Sequence, residues 1–346
     1  MCAVAAEIQS CLERAVSGHI FPCGVLMRLK RGGAPEYCCA GRSQYGGGFA
    51  ADATSLFDLA SMTKVVATTP LAMLLYEAGS LDLDRPVSRW LPDFEDGDHP
   101  EWRARITPRM LLAHCGGFAP FFPFHQSYAA VCNGDEKRRI VRHAALQSPP
   151  CAEAVYSDIG MMVMGQVVER ILGKTLDLAA KELLFTPLGM DETGYNPHEG
   201  RRCIPTEEKK ESAGEYWRGI VHDENARWLN GVSGHAGLFS SGRDLSLFAR
   251  MLLEGGMPLF RSRETLALFA APANLVQGSE RCLGWTQWSK LPGAYGHTGF
   301  TGVSLWVDAN RGSATLLLTN AVHPHRECKQ NGYFHWRDRL HLMADD

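Results

Sequence analysis

Apolar and polar positions alternate with a period of two near both ends of the chain, which is the pattern of strands that bury one face. Near the N-terminus this alternation predicts strands at residues 24–30 and 36–40, and the turn-rich segment 31–35 between them predicts a hairpin. Toward the C-terminus the same alternation predicts three more strands, at residues 283–288, 303–307 and 314–318.

Between these regions the apolar residues recur with helical spacing. The clearest helix start is at Thr107, which can cap free amides, followed by Pro108 in the first turn. Another predicted helix begins near Ser157 and ends at Gly173. Further helices are predicted at residues 1–16, 61–78 (with Pro70 as a possible kink), 241–252 and 336–343.

Strands at both ends with helices between them predict an α+β fold. We expect one antiparallel sheet, flanked by terminal helices, with a mainly helical domain inserted into it. The predicted sheet domain comprises residues 1–60 and 231–346, and the predicted helical domain comprises residues 61–230. The active site is expected at the interface of the two.

Composition excludes several classes of protein. Of the 346 residues, 45% are hydrophobic and 21% are charged, which is typical of folded domains. The net charge of -3 and the scattered cationic residues give no basic face, so we expect no nucleic-acid partner. No apolar run reaches the roughly 18 residues of a membrane span, so we expect no such span. The oligomeric state stays open.

The eleven cysteines are irregularly spaced and include no C-x-x-C pair. This argues against a disulfide framework or a zinc site and favours a reducing compartment. The first residues contain Glu7, Glu13 and Arg14 and lack the pattern of an export signal. We therefore expect a cytoplasmic location.

The candidate chemistry begins with Ser61-Met-Thr-Lys64, the one Ser-x-x-Lys sequence of the chain. It lies at the start of a predicted helix, where residues three apart share a face, so that Lys64 can reach the Ser61 hydroxyl. A serine hydroxyl needs a neighbour that takes its proton, and a buried lysine with a lowered pKa can do so. The motif alone is weak evidence, because most matches are ordinary helix starts.

Two later motifs strengthen the case for catalysis by Ser61. They are Tyr156-Ser-Asp158 at a loop-to-helix junction and Gly296-His-Thr-Gly299 on a predicted strand. In this order the three motifs resemble the β-lactamase and penicillin-binding protein superfamily. The resemblance is to the branch that holds class C β-lactamases, D-Ala-D-Ala carboxypeptidases and esterases. It extends over most of the chain, including residues 81–92, 111–117 and 234–241.

The resemblance implies a β-lactamase-like fold and assigns roles to individual residues. Ser61 would be the nucleophile, and Tyr156 would hold or share with Lys64 the role of general base. The backbone amides of Ser61 and Phe300 would form an oxyanion hole. Substrate would be bound by Asp158, His297, Thr298 and Gly299. The residues themselves leave other interpretations open, namely Tyr156 packed on the core and His297 facing solvent.

Two positions depart from the family pattern: Asp158 replaces the usual Asn, and His297 replaces Lys. An ionised Asp accepts hydrogen bonds but cannot donate one, and His297 is not a permanent cation. The resemblance therefore implies a serine hydrolase that acts through a covalent acyl-enzyme on amide or ester bonds, as a D-amino-acid peptidase, carboxypeptidase or carboxylesterase. β-Lactamase activity is expected to be weak at most.

Alternative functions are a transesterase or peptide-cyclising acyltransferase, and a catalytically idle member that binds ligands. The expected partner is a small-molecule or short-peptide substrate, and no cofactor or metal is expected. His222, Asp223 and His235 lack the spacing of a metal site, and His235 is interpreted as bracing a loop. The aromatic segment 118–124 either lines the mouth of a cleft or packs as a structural loop.

Overall fold

The computed structural model describes residues 3–198 and 202–345. Its strands are β1 (Cys23–Lys30), β2 (Glu36–Gln44), β3 (Gly47–Ala50), β4 (Phe57–Asp58), β5 (Gly194–Tyr195), β6 (Glu208–Lys209), β7 (Ser212–Tyr216), β8 (Leu238–Ser240), β9 (Thr286–Gln287), β10 (Tyr295–Gly299), β11 (Val303–Asp308) and β12 (Ser313–Thr319).

The α-helices are α1 (Ala3–Ser17), α2 (Thr69–Glu77), α3 (Pro100–Arg103), α4 (Pro108–Leu112), α5 (Phe124–Ser127), α6 (Gly134–Arg142), α7 (Asp158–Leu172), α8 (Leu176–Ala180), α9 (Thr186–Leu188), α10 (Glu224–Trp228), α11 (Gly242–Leu253), α12 (Arg263–Ala270) and α13 (Tyr333–Asp345). Short 3₁₀ turns occupy Ala60–Met62, Val87–Arg89, Pro92–Asp96 and Arg326–Gln330, and π-helical turns occupy Lys64–Thr68 and Lys181–Phe185. None of the described helices is long and apolar enough to cross a bilayer.

The main sheet joins the two ends of the chain. Its strand order is β3-β2-β1-β12-β11-β10-β9, and its pairings are antiparallel. At its centre β1 pairs with β12, with Gly24 opposite Thr319 and Lys30 opposite Ser313. The predicted α+β plan, the first hairpin and the terminal helices are confirmed.

Both faces of this sheet are covered, because successive strand residues point to opposite sides. Val25 and Met27 of β1 belong to a large apolar cluster that includes α11, whereas Leu26 between them belongs to a second cluster under α1 and α13. The first cluster extends into the helical region, where it contains Met162 of α7. The division of the chain at residues 60 and 230 stays a prediction.

The helix predicted at residues 61–78 is interrupted. A 3₁₀ turn is followed by the π-helical turn Lys64–Thr68, and only Thr69–Glu77 is regular α-helix. Pro70 explains the change, because proline has no amide to donate and clashes with the preceding turn of an α-helix. The helix ends at the predicted stop, Gly79, which has a positive φ of 71°.

The predicted cap at Thr107 and the predicted helix starts at Ser157 and Ser241 are confirmed. Thr107 accepts from the Met110 amide, Ser157 accepts from the Gly160 amide, and Ser241 caps α11. The strand predicted at 283–288 is mostly wrong, because only Thr286–Gln287 pairs, after a turn in which Gly284 has a φ of +86°. The small sheet β4-β8-β5 was not predicted.

Helix α13 is fixed to the sheet by His341, which is fully buried. Its ring nitrogens lie 2.7 Å from the hydroxyls of Ser304 on β11 and Thr315 on β12. Burial lowers the pKa of His341 to about 3, since a charged imidazole there would lose its hydration. The folded state therefore favours the neutral ring.

We predict that His341 makes the protein sensitive to acid. Because its pKa in the folded state is below the ordinary value of 6.5, its contribution is present above pH 6.5 and is lost as the pH falls toward 3, by up to about 1.4 kcal/mol per pH unit. Urea unfolding at pH 7.0, 5.5 and 4.5 should show a steeper loss for the wild type than for His341→Gln. His335→Gln, on the exposed face of the same helix, should follow the wild type, and equal slopes for all three proteins would contradict the assignment.

Candidate active site

Ser61 projects from the 3₁₀ turn Ala60–Met62, which follows β4. The residue before it, Ala60, has a φ of +44°, which is unfavourable for a residue with a side chain. The buried Asp58 carboxylate holds this turn, because it accepts hydrogen bonds from the Ala60 amide at 2.8 Å and the His222 amide at 2.6 Å. Ser61 is consequently presented at the rim of a cavity.

Lys64 contacts Ser61 as predicted, although the geometry differs from that of an α-helix. In a 3₁₀ turn residues three apart are eclipsed, and the Lys64 Nζ lies 2.9 Å from the Ser61 Oγ. The Nζ also donates to the His235 carbonyl oxygen at 3.2 Å and lies 2.7 Å from an Asp158 carboxylate oxygen. Its side chain is fully buried.

The pKa of Lys64 corrects one expectation. Burial acts to lower it, but the charges of Asp158 and Tyr156 outweigh burial and raise the pKa of Lys64 above its ordinary value of 10.5. The expected lowered pKa is therefore wrong, and Lys64 is an ammonium that donates to Ser61. A proton acceptor for the Ser61 hydroxyl must be found elsewhere.

Tyr156 lies next to this pair. The Lys64 Nζ is 4.9 Å from the centre of its ring, and the Arg281 guanidinium carbon is also 4.9 Å from it. The rings of His114 and His297 pack at 4.6 and 5.6 Å. The Tyr156 oxygen is buried, and its interaction with the Lys64 amine contributes to the raised pKa of Lys64. Tyr156 thus lies beside two cations, with its oxygen close to the Lys64 ammonium.

The strand β10 forms the opposite wall. A Cβ on Gly299 would lie 2.5 Å from the Leu59 carbonyl oxygen, so only glycine allows this strand to pack against the Ser61 turn. His297 is buried, and its Nδ1 lies 2.7 Å from the Thr298 carbonyl oxygen. Burial and the Lys64 charge lower the pKa of His297 to about 3. His297 is therefore neutral and does not face solvent.

Phe300 follows β10 at the mouth of the site, and 47% of its surface is exposed. Its carbonyl oxygen accepts a 2.7 Å hydrogen bond from Lys329, and its ring packs on His222 with a centroid distance of 5.6 Å. Burial and the nearby Arg337 lower the pKa of Lys329 to about 8. The oxyanion-hole role of the Ser61 and Phe300 amides stays a prediction.

A cavity of about 320 Å³ joins these elements, and its lining brings Ser61 and Tyr156 together with Arg281 and Lys329. The full lining is Ser61, Tyr156, Arg281, Thr286, His297, Thr298, Gly299, Phe300, Lys329, Tyr333, Phe334 and Arg337. Its charged side chains are all cationic. Within residues 3–198 and 202–345, Arg337 has an ion pair, with Asp338, whereas Arg281 and Lys329 have none.

Asp158 has a different contact from the one expected. It faces Lys64 and is not part of the cavity lining. Asp158, Asp223 and His235 could each offer a metal ligand within 4.8 Å of the others. However, His235 already bridges Ser233 at 2.8 Å and Asp223 at 2.9 Å. We assign this cluster to the support of Lys64, and a substrate contact of Asp158 stays a prediction.

The sequence motifs did not reveal the wall of the cavity that the C-terminal segment supplies. Lys329, Tyr333, Phe334 and Arg337 lie far from every motif in sequence and reach the site only because α13 packs across the sheet. Arg281 was also missed, because it lies outside every motif, in the loop before β9. The aromatic segment 118–124 does not line the cavity, but the Pro120 carbonyl accepts from the Asp158 amide at 3.0 Å. It therefore braces the site from behind.

Comparison with known proteins decides the family. The β-lactamase family model matches residues 20–336. The chain belongs to the β-lactamase family. The N-acetylmuramyl-L-alanine amidase of Bacillus subtilis strain 168 is 32% identical over 305 residues, which cover 78% of this chain and 68% of that protein. An Escherichia coli K12 protein named for D-alanyl-D-alanine carboxypeptidase is 29% identical over 306 residues, covering 78% and 70%.

Solved structures of other proteins share the fold. EstCE1, described as a hydrolase with promiscuous acyltransferase activity, superimposes with a TM-score of 0.77 at 21% identity over 97% of this chain and 98% of its own. A class C β-lactamase from Rhodobacter sphaeroides superimposes with a TM-score of 0.73 at 18% identity over 99% and 98%. Membership of the β-lactamase family, together with the hydrolase relatives, makes this chain a serine hydrolase.

We predict that Asp158 sets the charge state of Lys64. In Asp158→Asn the buried ammonium loses its counter-ion, so burial dominates, the pKa of Lys64 falls, and the free energy of unfolding decreases by about 3 kcal/mol. Denaturant unfolding and the pH profile of Ser61 acylation measure these two effects. The double variant Asp158→Asn/Lys64→Met should regain part of the stability.

The matched control is Asp96→Asn, because Asp96 is exposed and has the same side chain. It should leave both measurements unchanged. A strictly additive double variant would contradict a direct interaction between Lys64 and Asp158.

Proposed function

We propose that this chain hydrolyses amide or ester bonds of small carboxylate-bearing substrates, above all short D-amino-acid peptides, through an acyl-enzyme on Ser61. The observation that carries the proposal is the buried Lys64 ammonium 2.9 Å from the hydroxyl of Ser61, which lines a cationic cavity together with Tyr156. The relatives named as amidase and carboxypeptidase support the same chemistry.

In the proposed reaction the Ser61 oxygen attacks the substrate carbonyl carbon, and the Ser61 proton passes to the Tyr156 oxygen. Tyr156 is preferred over Lys64 because the raised pKa of Lys64 keeps that amine protonated. Tyr156 enters the proposed reaction as a phenolate, whose negative charge the Lys64 ammonium stabilises, and it becomes a neutral phenol when it takes the Ser61 proton. Tyr156 then gives this proton to the leaving amine or alcohol. As a phenolate again it takes a proton from the water that attacks the Ser61 ester, and it returns that proton to the Ser61 oxygen as the acid leaves.

The unpaired cations support the choice of substrate. Arg281 lines the cavity beside Tyr156 with no ion pair to the described residues, so its guanidinium is available to a substrate carboxylate. The free carboxylate of a peptide C-terminus would pair with the Arg281 guanidinium. Carboxylic esters with an acidic group fit the same arrangement. With neutral His297 on β10 and Asp158 held by Lys64, we expect at most weak turnover of cephalosporins.

The experiment that tests this function is a substrate panel on the wild type and Ser61→Ala. We predict hydrolysis of p-nitrophenyl esters and of a D-Ala-D-Ala peptide, and a loss of at least about 1,000-fold in Ser61→Ala. A fluorophosphonate should add to the wild type alone, as read by intact mass. Normal folding without any adduct or turnover would instead support an idle ligand-binding protein.

Adding hydroxylamine or an alcohol to the same assays separates hydrolysis from acyl transfer. If the acceptor takes most of the acyl group at low concentration, the transferase alternative replaces hydrolysis. If free acid remains the main product, hydrolysis stands.

We predict that Arg281→Gln lowers kcat/KM for carboxylate-bearing substrates by at least about tenfold, since hydrogen bonds to charged groups contribute about 1.5–3 kcal/mol. A neutral p-nitrophenyl ester of the same length should be affected less than about threefold. The control is Arg243→Gln, a change at an exposed arginine outside the cavity. Equal losses on charged and neutral substrates would contradict a role for Arg281 in binding the carboxylate.

A further inference from the structure

Two cysteine thiols lie in contact behind the active site. The Sγ atoms of Cys115 and Cys151 are 3.6 Å apart, close to van der Waals contact. Cys115 is buried, whereas Cys151 is partly exposed. Both are free thiols in the structure.

The backbones around these thiols are hydrogen-bonded to each other. The Cys151 amide donates to the Cys115 carbonyl oxygen at 2.8 Å, and the Gln147 amide donates to the Gly117 carbonyl oxygen at 2.8 Å. Phe118 and Leu146 form an antiparallel bridge in the same pair of segments. The two cysteines are therefore held side by side by backbone contacts as well as by their touching sulfur atoms.

These segments also hold Tyr156. His114, next to Cys115, packs its ring 4.6 Å from that of Tyr156 and accepts a 3.1 Å hydrogen bond from the Ser157 amide. The Ser157 hydroxyl donates to the Ala119 carbonyl at 2.6 Å. Cys151 lies five residues before Tyr156, with a φ of +63°. Any displacement at the two thiols therefore reaches the residues that place the Tyr156 phenol.

We propose that Cys115 and Cys151 are a modification site at which a peroxide forms an intrachain disulfide, and that this bond lowers the activity of the Ser61 site. The loss of activity rests on the proposed function, whereas formation of the bond does not.

The chemistry balances with hydrogen peroxide as the oxidant. The partly exposed Cys151 thiolate attacks one peroxide oxygen, the O–O bond breaks, and a sulfenic acid forms as one water leaves. The Cys115 thiolate then attacks the Cys151 sulfur, the S–S bond forms, the S–O bond breaks, and a second water leaves. The two thiols lose two electrons and two protons in total. Burial and Cys151 raise the pKa of the Cys115 thiol, so the partly exposed Cys151 reacts with the peroxide first, and Cys115 loses its proton only as it attacks the Cys151 sulfur.

The bond must change the geometry. A disulfide requires an S–S distance of about 2.05 Å, so the two segments must approach beyond the present 3.6 Å. His114 and Ser157 follow, and displacements of about 1 Å in a catalytic arrangement cost up to about 100-fold in rate. We expect kcat/KM to fall at least tenfold on oxidation and to recover on reduction.

The first test locates the bond without using activity. The Cys132→Ser variant, which lacks an exposed thiol, is treated with hydrogen peroxide and digested without reduction. Mass spectrometry should find the peptides of Cys115 and Cys151 joined, with the loss of two hydrogen atoms. Oxidation of other cysteines with no 115–151 link would overturn the proposal.

The second test measures the effect on Ser61, as the rate of fluorophosphonate labelling and as p-nitrophenyl ester hydrolysis. Oxidation should slow both in Cys132→Ser and leave Cys132→Ser/Cys151→Ala unaffected, and dithiothreitol should restore the former. The comparison of oxidised with reduced protein uses Cys151→Ala and not Cys115→Ser, because Cys115 is buried and its replacement by serine would disturb folding. A mapped disulfide with unchanged rates would refute the regulatory effect, and Ser61 inert in the reduced protein would refute the proposed function instead.

Discussion

The structure depends on one buried ammonium group. Lys64 is fully enclosed, and its Nζ is surrounded by the Ser61 hydroxyl, the His235 carbonyl oxygen and the Asp158 carboxylate, which come from three separate segments. A buried charge is costly unless it is paired and hydrogen-bonded. The fold offsets this cost because each of the three segments places an oxygen atom next to the Lys64 Nζ. The contacts that stabilise the buried Lys64 are therefore also those that assemble the site.

Close backbone packing makes this convergence possible. A Cβ on Gly234 would lie 2.2 Å from the Met161 carbonyl oxygen of α7, so the segment that presents the His235 carbonyl approaches the helix only because residue 234 is glycine. Gly299 has the same function between β10 and the Ser61 turn. The pair Asp223 and His235 lies next to Lys64 and keeps the His235 carbonyl in place. Interactions with His235 and Lys64 lower the pKa of Asp223 despite its burial. Rigid backbone contacts thus determine the electrostatics of the catalytic groups.

Much of this could be predicted from sequence, because the deciding signals are local. Alternation predicted β1, β2, β11 and β12, a cap predicted α4, helical spacing predicted α7 and α11, and the three motifs predicted which side chains meet. The rest depends on distant contacts. The net pKa of Lys64 is a balance between burial and Asp158, and no local pattern reveals its sign. Lys329 belongs to the cavity only through the packing of the C-terminal segment, and Arg281 lies next to the short Thr286–Gln287 strand, which depends on its pairing with β10.

The pairing of β1 with β12 at the centre of the main sheet has a consequence for biosynthesis. During synthesis on the ribosome, β1 and its hairpin partner β2 emerge almost 300 residues before β12. The backbone N–H and C=O groups on the other edge of β1 therefore stay unpaired while the helical region is made. Such long-range pairing slows folding, because the chain loses the conformational entropy of a long loop before the strand contacts that offset this loss have formed. Nascent chains should therefore depend on chaperones to protect this edge until translation reaches the last strand.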